Sequence, residues 1–216
     1  MISELATAAR RSQTDGGEDG AKRRQIMDGA RAVFLAQGFD AASMGEIARA
    51  AGVSKGTLYV YFENKEELFQ AIVGEECRSH AEQIFQFDHD DHDVEGVLRR
   101  LGLAYVNFVV NKPGGLSSLR TVIAIADRMP DIGRTFYETG PAFGIAQLAA
   151  YLRAQVAAGV LAVEDCEITA AQFMDACQST LFKPVLFNFS LPPNQQQIEH
   201  VVDIALRAFL AAYRRP

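Results

Sequence analysis

The sequence predicts an all-α protein, and three observations carry that prediction. Residues 44–62 lay out two short helical patterns on either side of Gly52. Beyond residue 94, apolar side chains recur at helical spacing over several long stretches. No segment shows sustained strand alternation or an Asn-Gly hairpin signal.

Residues 1–20 are rich in Ala, Ser, Thr, Gly and Asp without periodicity, and are expected to form a disordered arm. Arg10 and Arg11 would let it touch an anionic partner, but its acidic excess favours a solvated tail. Ile26, Ala30, Val33, Phe34 and Gln37 then mark one face of a helix that stops near Gly38-Phe39. Ser43 with Glu46 is a capping-box pair opening a short helix, whose apolar stripe is Ile47, Ala48 and Ala51. Gly52 tolerates the left-handed backbone of a turn, and Val53 fills the corner. Ser54 caps the next helix, which turns Leu58 and Phe62 inward and leaves Lys55, Thr57, Tyr59 and Tyr61 largely outside. Asn64 and Glu67 repeat the capping logic for a helix running to about Phe87.

Residues 88–93, Asp-His-Asp-Asp-His-Asp, interrupt that helix. Ligands packed so closely in a flexible loop are expected to form a solvated acidic linker rather than a metal site. Further helices are predicted at about 94–111, 115–129, 131–157 with a break near Gly140-Pro141, 167–189 and 195–213. Lys183-Pro184 predicts a kink in the fourth of these, with Lys183 reaching solvent or facing a pocket. The resulting organisation is an arm at 1–20, a three-helix domain at 21–66 and a helical domain at 67–216.

With 216 residues, 49% hydrophobic and 22% charged, the chain has enough apolar content to bury a sizeable core. No apolar run is long enough to span a bilayer and no signal-peptide core opens the chain, so a cytoplasmic protein without membrane partners is expected. Cys77, Cys166 and Cys177 are odd in number and lack Cys-x-x-Cys spacing, which argues against a disulfide framework or zinc. The net charge of −6 is unevenly distributed: residues 21–66 carry seven basic and five acidic side chains, against 12 and 18 in 67–216. A basic end on an acidic body would meet a polyanion first.

Two short helices crossing over a glycine-containing turn form a helix-turn-helix, which places its second helix in the major groove of DNA. On that reading Lys55 reaches a guanine edge or a phosphate, and Thr57 offers a hydroxyl and a methyl to base edges. Gly56 permits close approach, while Val60 reads only by van der Waals contact. Tyr59 and Tyr61 donate to phosphate oxygens. Lys65 adds a phosphate contact at a helix N-terminus, with Ser43, Arg23 and Arg24 as further candidates.

The same residues carry a family resemblance. Gly38-Phe39, Ile47-Ala48, the run from Ala51 through Gly52-Val53-Ser54-Lys55-Gly56-Thr57-Leu58 to Tyr59, Tyr61-Phe62 and Lys65-Glu66-Glu67-Leu68 resemble the DNA-binding domain of TetR-type repressors. Ala126-Asp127-Arg128-Met129-Pro130-Asp131, with Phe136-Tyr137 and Gly140-Pro141, resembles the ligand-and-dimer domain of the AefR-like branch. The resemblance implies a homodimer on a double-stranded DNA operator, joined by the helices at about 167–189 and 195–213, and a small-molecule effector. Their apolar faces would serve equally to close the monomer core.

For the effector, Tyr105, Phe108, Arg120, Asp127, Phe136, Tyr137, Phe143 and Phe173 are the candidate lining, with Arg120 or Asp127 fixing orientation. Ordinary core packing of the aromatics is the competing reading. No Gly-x-Ser-x-Gly, phosphate-binding glycine loop or His-Glu-x-x-His pattern occurs, so catalytic residues, cofactor and metal are all expected to be absent. The alternative functions are a small-molecule-binding protein or enzyme with a vestigial helix-turn-helix.

Overall fold

The structure is a computed structural model that describes residues 2–112 and 114–215, with side chains from Asp19 onward. The expected arm at 1–20 falls almost wholly on side chains outside the described residues. Among the described residues there is no β-strand beyond an isolated bridge between Leu161 and Arg214, and no helix is long and apolar enough to cross a membrane. The chain divides into two compact units at Ile72/Val73.

The first unit is built on α1 (Ile2–Ala41), α2 (Met44–Ala50), α3 (Lys55–Tyr61) and the start of α4 (Lys65–Ile84). Helical angles in α1 are interrupted at Gly38. Ile26, Met27, Ile47, Leu58 and Leu68 are fully buried in its core, with Phe62 almost so. Each such side chain contributes about 1.5–3 kcal/mol by leaving water. The crossing of α1 over the end of α2 is tight enough that a Cβ on Gly29 would lie 2.6 Å from the Ala51 amide nitrogen. Gln25 closes the same crossing, its Nε2 donating to the Ala51 carbonyl at 2.7 Å. Phe34, Phe39 and Phe69 form a second aromatic cluster, with ring centroids 5.0–5.7 Å apart.

The helix starts follow local chemistry. Ser43 and Glu46 form the full reciprocal box at α2, and Ser54 Oγ accepts from the Thr57 amide at 3.0 Å. At α4 only half the expected box forms. Asn64 Oδ1 accepts from the Glu67 amide, but the Glu67 carboxylate returns to the amide of Glu63 instead of Asn64. Gly52 has φ 64°, the left-handed turn residue that the sequence requires.

The second unit contains the rest of α4, then α5 (Val94–Asn111), α6 (Gly115–Ile125), α7 (Pro130–Tyr137), a π-helical turn (Glu138–Ala142), α8 (Phe143–Ala157), α9 (Cys166–Gln178), α10 (Phe182–Leu186) and α11 (Gln195–Tyr213). Leu98, Leu148, Tyr151, Leu152, Ala170, Ile198 and Val202 form its fully buried centre. The expected break at Gly140-Pro141 is a π-turn that carries the chain from α7 into α8 without leaving helical geometry.

The helix predicted at 167–189 with a kink at Lys183-Pro184 is instead broken into two. It ends at Gln178 and restarts at Phe182, which puts Pro184 in the first turn of α10, where its missing N–H has no intrahelical partner to lose. The linker at 88–93 is also not the free loop expected. Buried Gln155 donates to the His89 carbonyl at 2.9 Å and bonds His92 Nδ1 at 2.8 Å, while the Tyr151 hydroxyl donates to the Asp91 carbonyl at 2.8 Å.

Candidate nucleic-acid interface and internal cavity

Helix α3 is held from both ends and faces outward between them. Its inner side is closed by Leu58, and by Phe62 at its C-cap. Its outer side presents Lys55, Gly56, Tyr59 and Val60, with Tyr59 54% and Val60 81% exposed. Lys55 makes no ion pair among the described residues, and its side chain lies along Gly45 of α2. Thr57 is half-buried and its hydroxyl is shared with Ser54 Oγ at 2.8 Å, which leaves its methyl and the remaining hydroxyl valence for a partner.

Several predicted contacts have other partners. Lys65 Nζ donates to the carbonyls of Phe39, Asp40 and Ala42 at 3.0, 3.0 and 3.2 Å, and lies over the Phe39 ring. An ammonium has three donors, and all of them are directed at carbonyls around the end of α1. The Tyr61 hydroxyl bonds the Asp19 carboxylate, and that bond is the main cause holding its phenol above the ordinary range. Arg23 stacks over the Phe62 ring at 5.0 Å and bonds Met27 Sδ at 3.2 Å. Ser43 is occupied by Glu46, whose carboxyl is held below its ordinary value by the side-chain hydrogen bond from Ser43 first and by Gln37 next. Arg24 is exposed.

The second unit encloses a cavity of about 180 Å³. Three of the expected residues line it: Tyr105, Phe108 and Phe136. The other five do not. Arg120 donates to the carbonyls of Leu186 and Val185 at 2.9 and 2.8 Å and to Asn188 Oδ1 at 2.8 Å, closing the end of α10. Asp127 and Tyr137 are exposed, Phe143 packs against the core, and buried Phe173 meets Phe209 edge-on at 5.4 Å.

Sequence reasoning missed the rest of the wall. Val73, Cys77, Ala81 and Ile84 of α4 contribute to it, as do Leu119, Val122 and Met174. Its charged pair is Glu76 and Lys112, 3.7 Å apart, with the ammonium 5.2 Å from the Phe108 ring centroid. Burial pushes the Cys77 thiol up to about 11 and the Tyr105 phenol above its ordinary value. Spacing along α4 signals only an amphipathic helix; that one stretch of it faces an unfilled volume depends on α5, α6 and α7.

Residues 26–72 match the family model described as bacterial regulatory proteins, tetR family, and residues 96–215 match the AefR-like transcriptional repressor, C-terminal domain. The chain is 41% identical over 56 residues to an HTH-type transcriptional repressor of Mycobacterium tuberculosis, and 35% identical over 83 residues to the repressor BepR of Brucella suis. Those alignments cover 26% and 38% of this chain and only 30% and 38% of the two relatives. Similarity to solved structures runs much further. The flavonoid-responsive regulator FrrA is 32% identical with a TM-score of 0.78, covering 90% of this chain and 98% of that one. A TetR family transcriptional regulator from Pseudomonas syringae is 27% identical with a TM-score of 0.71, covering 90% and 97%.

Proposed function

The chain belongs to the TetR family of bacterial regulatory proteins, and from that premise we propose that it is a homodimeric, ligand-responsive repressor acting on a pseudo-palindromic DNA operator in the cytoplasm. The observation that carries this reading is the outward face of α3. A capped helix with a closed inner side aims Lys55, Tyr59 and Val60 at solvent, in a region where basic side chains outnumber acidic ones. Gly56 keeps the start of that face low, so the backbone approaches the groove. Lys55 bonds a guanine edge or a phosphate and Tyr59 donates to phosphate, while exposed Arg24 on α1 adds positive charge to the same unit.

Two copies meet through α9 and α11, where Ile168 and Ile204 are 56% and 46% exposed. A two-fold axis then sets the half-sites on successive turns of the duplex. The effector is an apolar, ring-bearing molecule placed among Tyr105, Phe108 and Phe136, with its polar group toward Glu76 and Lys112. The name of the similar regulator FrrA, flavonoid-responsive, supports an aromatic effector. Coupling runs along α4, which contributes Leu68 and Ile72 to the first core and Cys77 and Ala81 to the cavity wall. A ligand that favours one setting of α4 lowers operator affinity by a coupling of about 1–3 kcal/mol.

The test is a mobility-shift titration against the DNA upstream of the gene, with unrelated duplex as competitor and at two salt concentrations. A saturable shift that survives competitor supports the reading. Binding no tighter than to competitor, weakening uniformly with salt, overturns it.

A further inference from the structure

Resting on the reading of α3 as the DNA-facing helix, we infer that Val60 specifies a thymine in each operator half-site by packing on its C5 methyl group. Few side chains on and beside α3 keep uncommitted polar groups. The Thr57 hydroxyl is engaged with Ser54 Oγ at 2.8 Å and keeps only part of its hydrogen-bonding capacity, and the Tyr61 hydroxyl is directed at Asp19. Lys65, on the next helix, has all three donors on carbonyls. Lys55 and Tyr59 remain as polar groups, and both reach phosphate as readily as base.

Next to Tyr59 stands Val60, 81% exposed on a helix whose other apolar side chains, Leu58 and the C-cap Phe62, are buried to within 1%. A β-branched aliphatic side chain held in water on a short, capped helix has nothing of this unit to pack against. In a major groove it meets base edges, and the apolar group that projects furthest from any unmodified base there is the thymine methyl. Val60 has a stiff χ1, so its two methyl groups are presented in a fixed direction. That suits the reading of one position. Gly56, one turn before Val60, carries no side chain to hold the helix away from the groove.

The experiment uses the full-length protein and an operator selected from random duplex DNA. Each thymine is replaced in turn by deoxyuracil, which leaves every base-pair hydrogen bond intact and removes only the C5 methyl. The wild-type protein is expected to lose roughly fourfold in affinity per half-site at one symmetry-related position, as follows from returning about one methyl group to water. Val60→Ala, at a solvent-facing position that does not touch the fold, is expected to bind the thymine and uracil operators equally at that position, and to keep wild-type penalties elsewhere. If the operator is bound specifically but Val60→Ala changes no uracil penalty, the assignment of Val60 is overturned while the regulator reading stands. If selection yields no specific operator at all, the regulator reading itself fails.

Discussion

The ammonium of Lys65 lies 4.8 Å from the centroid of the Phe39 ring and donates to the carbonyl of the same residue at 3.0 Å. One side chain therefore holds the first residue of α4 against the end of α1, and two more carbonyls complete its coordination. Lys65 fastens the support of α3; it is not part of the surface that α3 presents.

Lys65→Met keeps the aliphatic stem and removes the charge, leaving three carbonyls to find water. It is expected to lower stability by about 1–3 kcal/mol, seen as a lower denaturation midpoint at unchanged m value. The salt dependence of operator binding should be the same as wild type. A shallower dependence would place Lys65 on a phosphate instead.

Lys55→Ala is expected to do the reverse. It leaves the denaturation midpoint in place, because the side chain is exposed and makes no ion pair among the described residues. Operator affinity should fall by about 1–3 kcal/mol per half-site, as for other direct contacts. If Lys55 bonds phosphate, the slope of log affinity against log salt becomes shallower by about one for each half-site. An unchanged slope with lost sequence preference assigns it to a base edge.

Gly29→Ala tests the crossing of α1 and α2. The new Cβ would sit 2.6 Å from the Ala51 nitrogen and 2.7 Å from its Cα, backbone atoms that cannot rotate away. Helix propensity favours alanine by about 1 kcal/mol, and overpacking costs about 1–3 kcal/mol or more. A net loss of stability, together with loss of operator binding, is the expected result from thermal melts and mobility shifts. A stabilised variant would refute the tight crossing.

Burial gives the second unit a dependence on alkaline pH. The Cys77 thiol is pushed up to about 11 and that of Cys177 to about 12, with burial the leading cause for both. Unfolded thiols ionise near 8.5, so above that pH the folded chain holds protons that the unfolded chain has lost. Stability is complete below about pH 8.5 and declines as pH rises toward 11. Cys77→Ala should flatten part of that decline in denaturation midpoints measured from pH 8 to 11. Occupying the cavity should slow alkylation of Cys77 in the wild-type protein.

What was legible in the sequence is what neighbours along the chain decide. Ser43 with Glu46, Ser54 with Thr57 and the left-handed Gly52 all act within three or four residues, so capping chemistry and backbone sterics announce the helix-turn-helix without any knowledge of the fold. The start of α11 at Asn194 with Gln197 is of the same kind. The end of α9 is not, because apolar periodicity runs through residues 179–181 and only the placement of Pro184 in a new first turn ends it.

The destinations of long side chains were decided by tertiary structure alone. Lys65 and Arg120 read as phosphate and ligand contacts by residue type, yet they donate to carbonyls 26 and 66 positions away along the chain. Periodicity says which side of a helix is apolar, not whether the opposing helix fills the space. Phe173 and Phe136 are indistinguishable in sequence, but one lies edge-on against Phe209 in the core and the other borders an unfilled cavity. Sequence by itself determined the starts of α2, α3 and α11 and the outward face of α3, because those follow from interactions closed within a turn or two of chain. The cavity, and the partners of Lys65 and Arg120, were decided by which helices meet, since a void or a distant carbonyl exists only once separate segments are packed together.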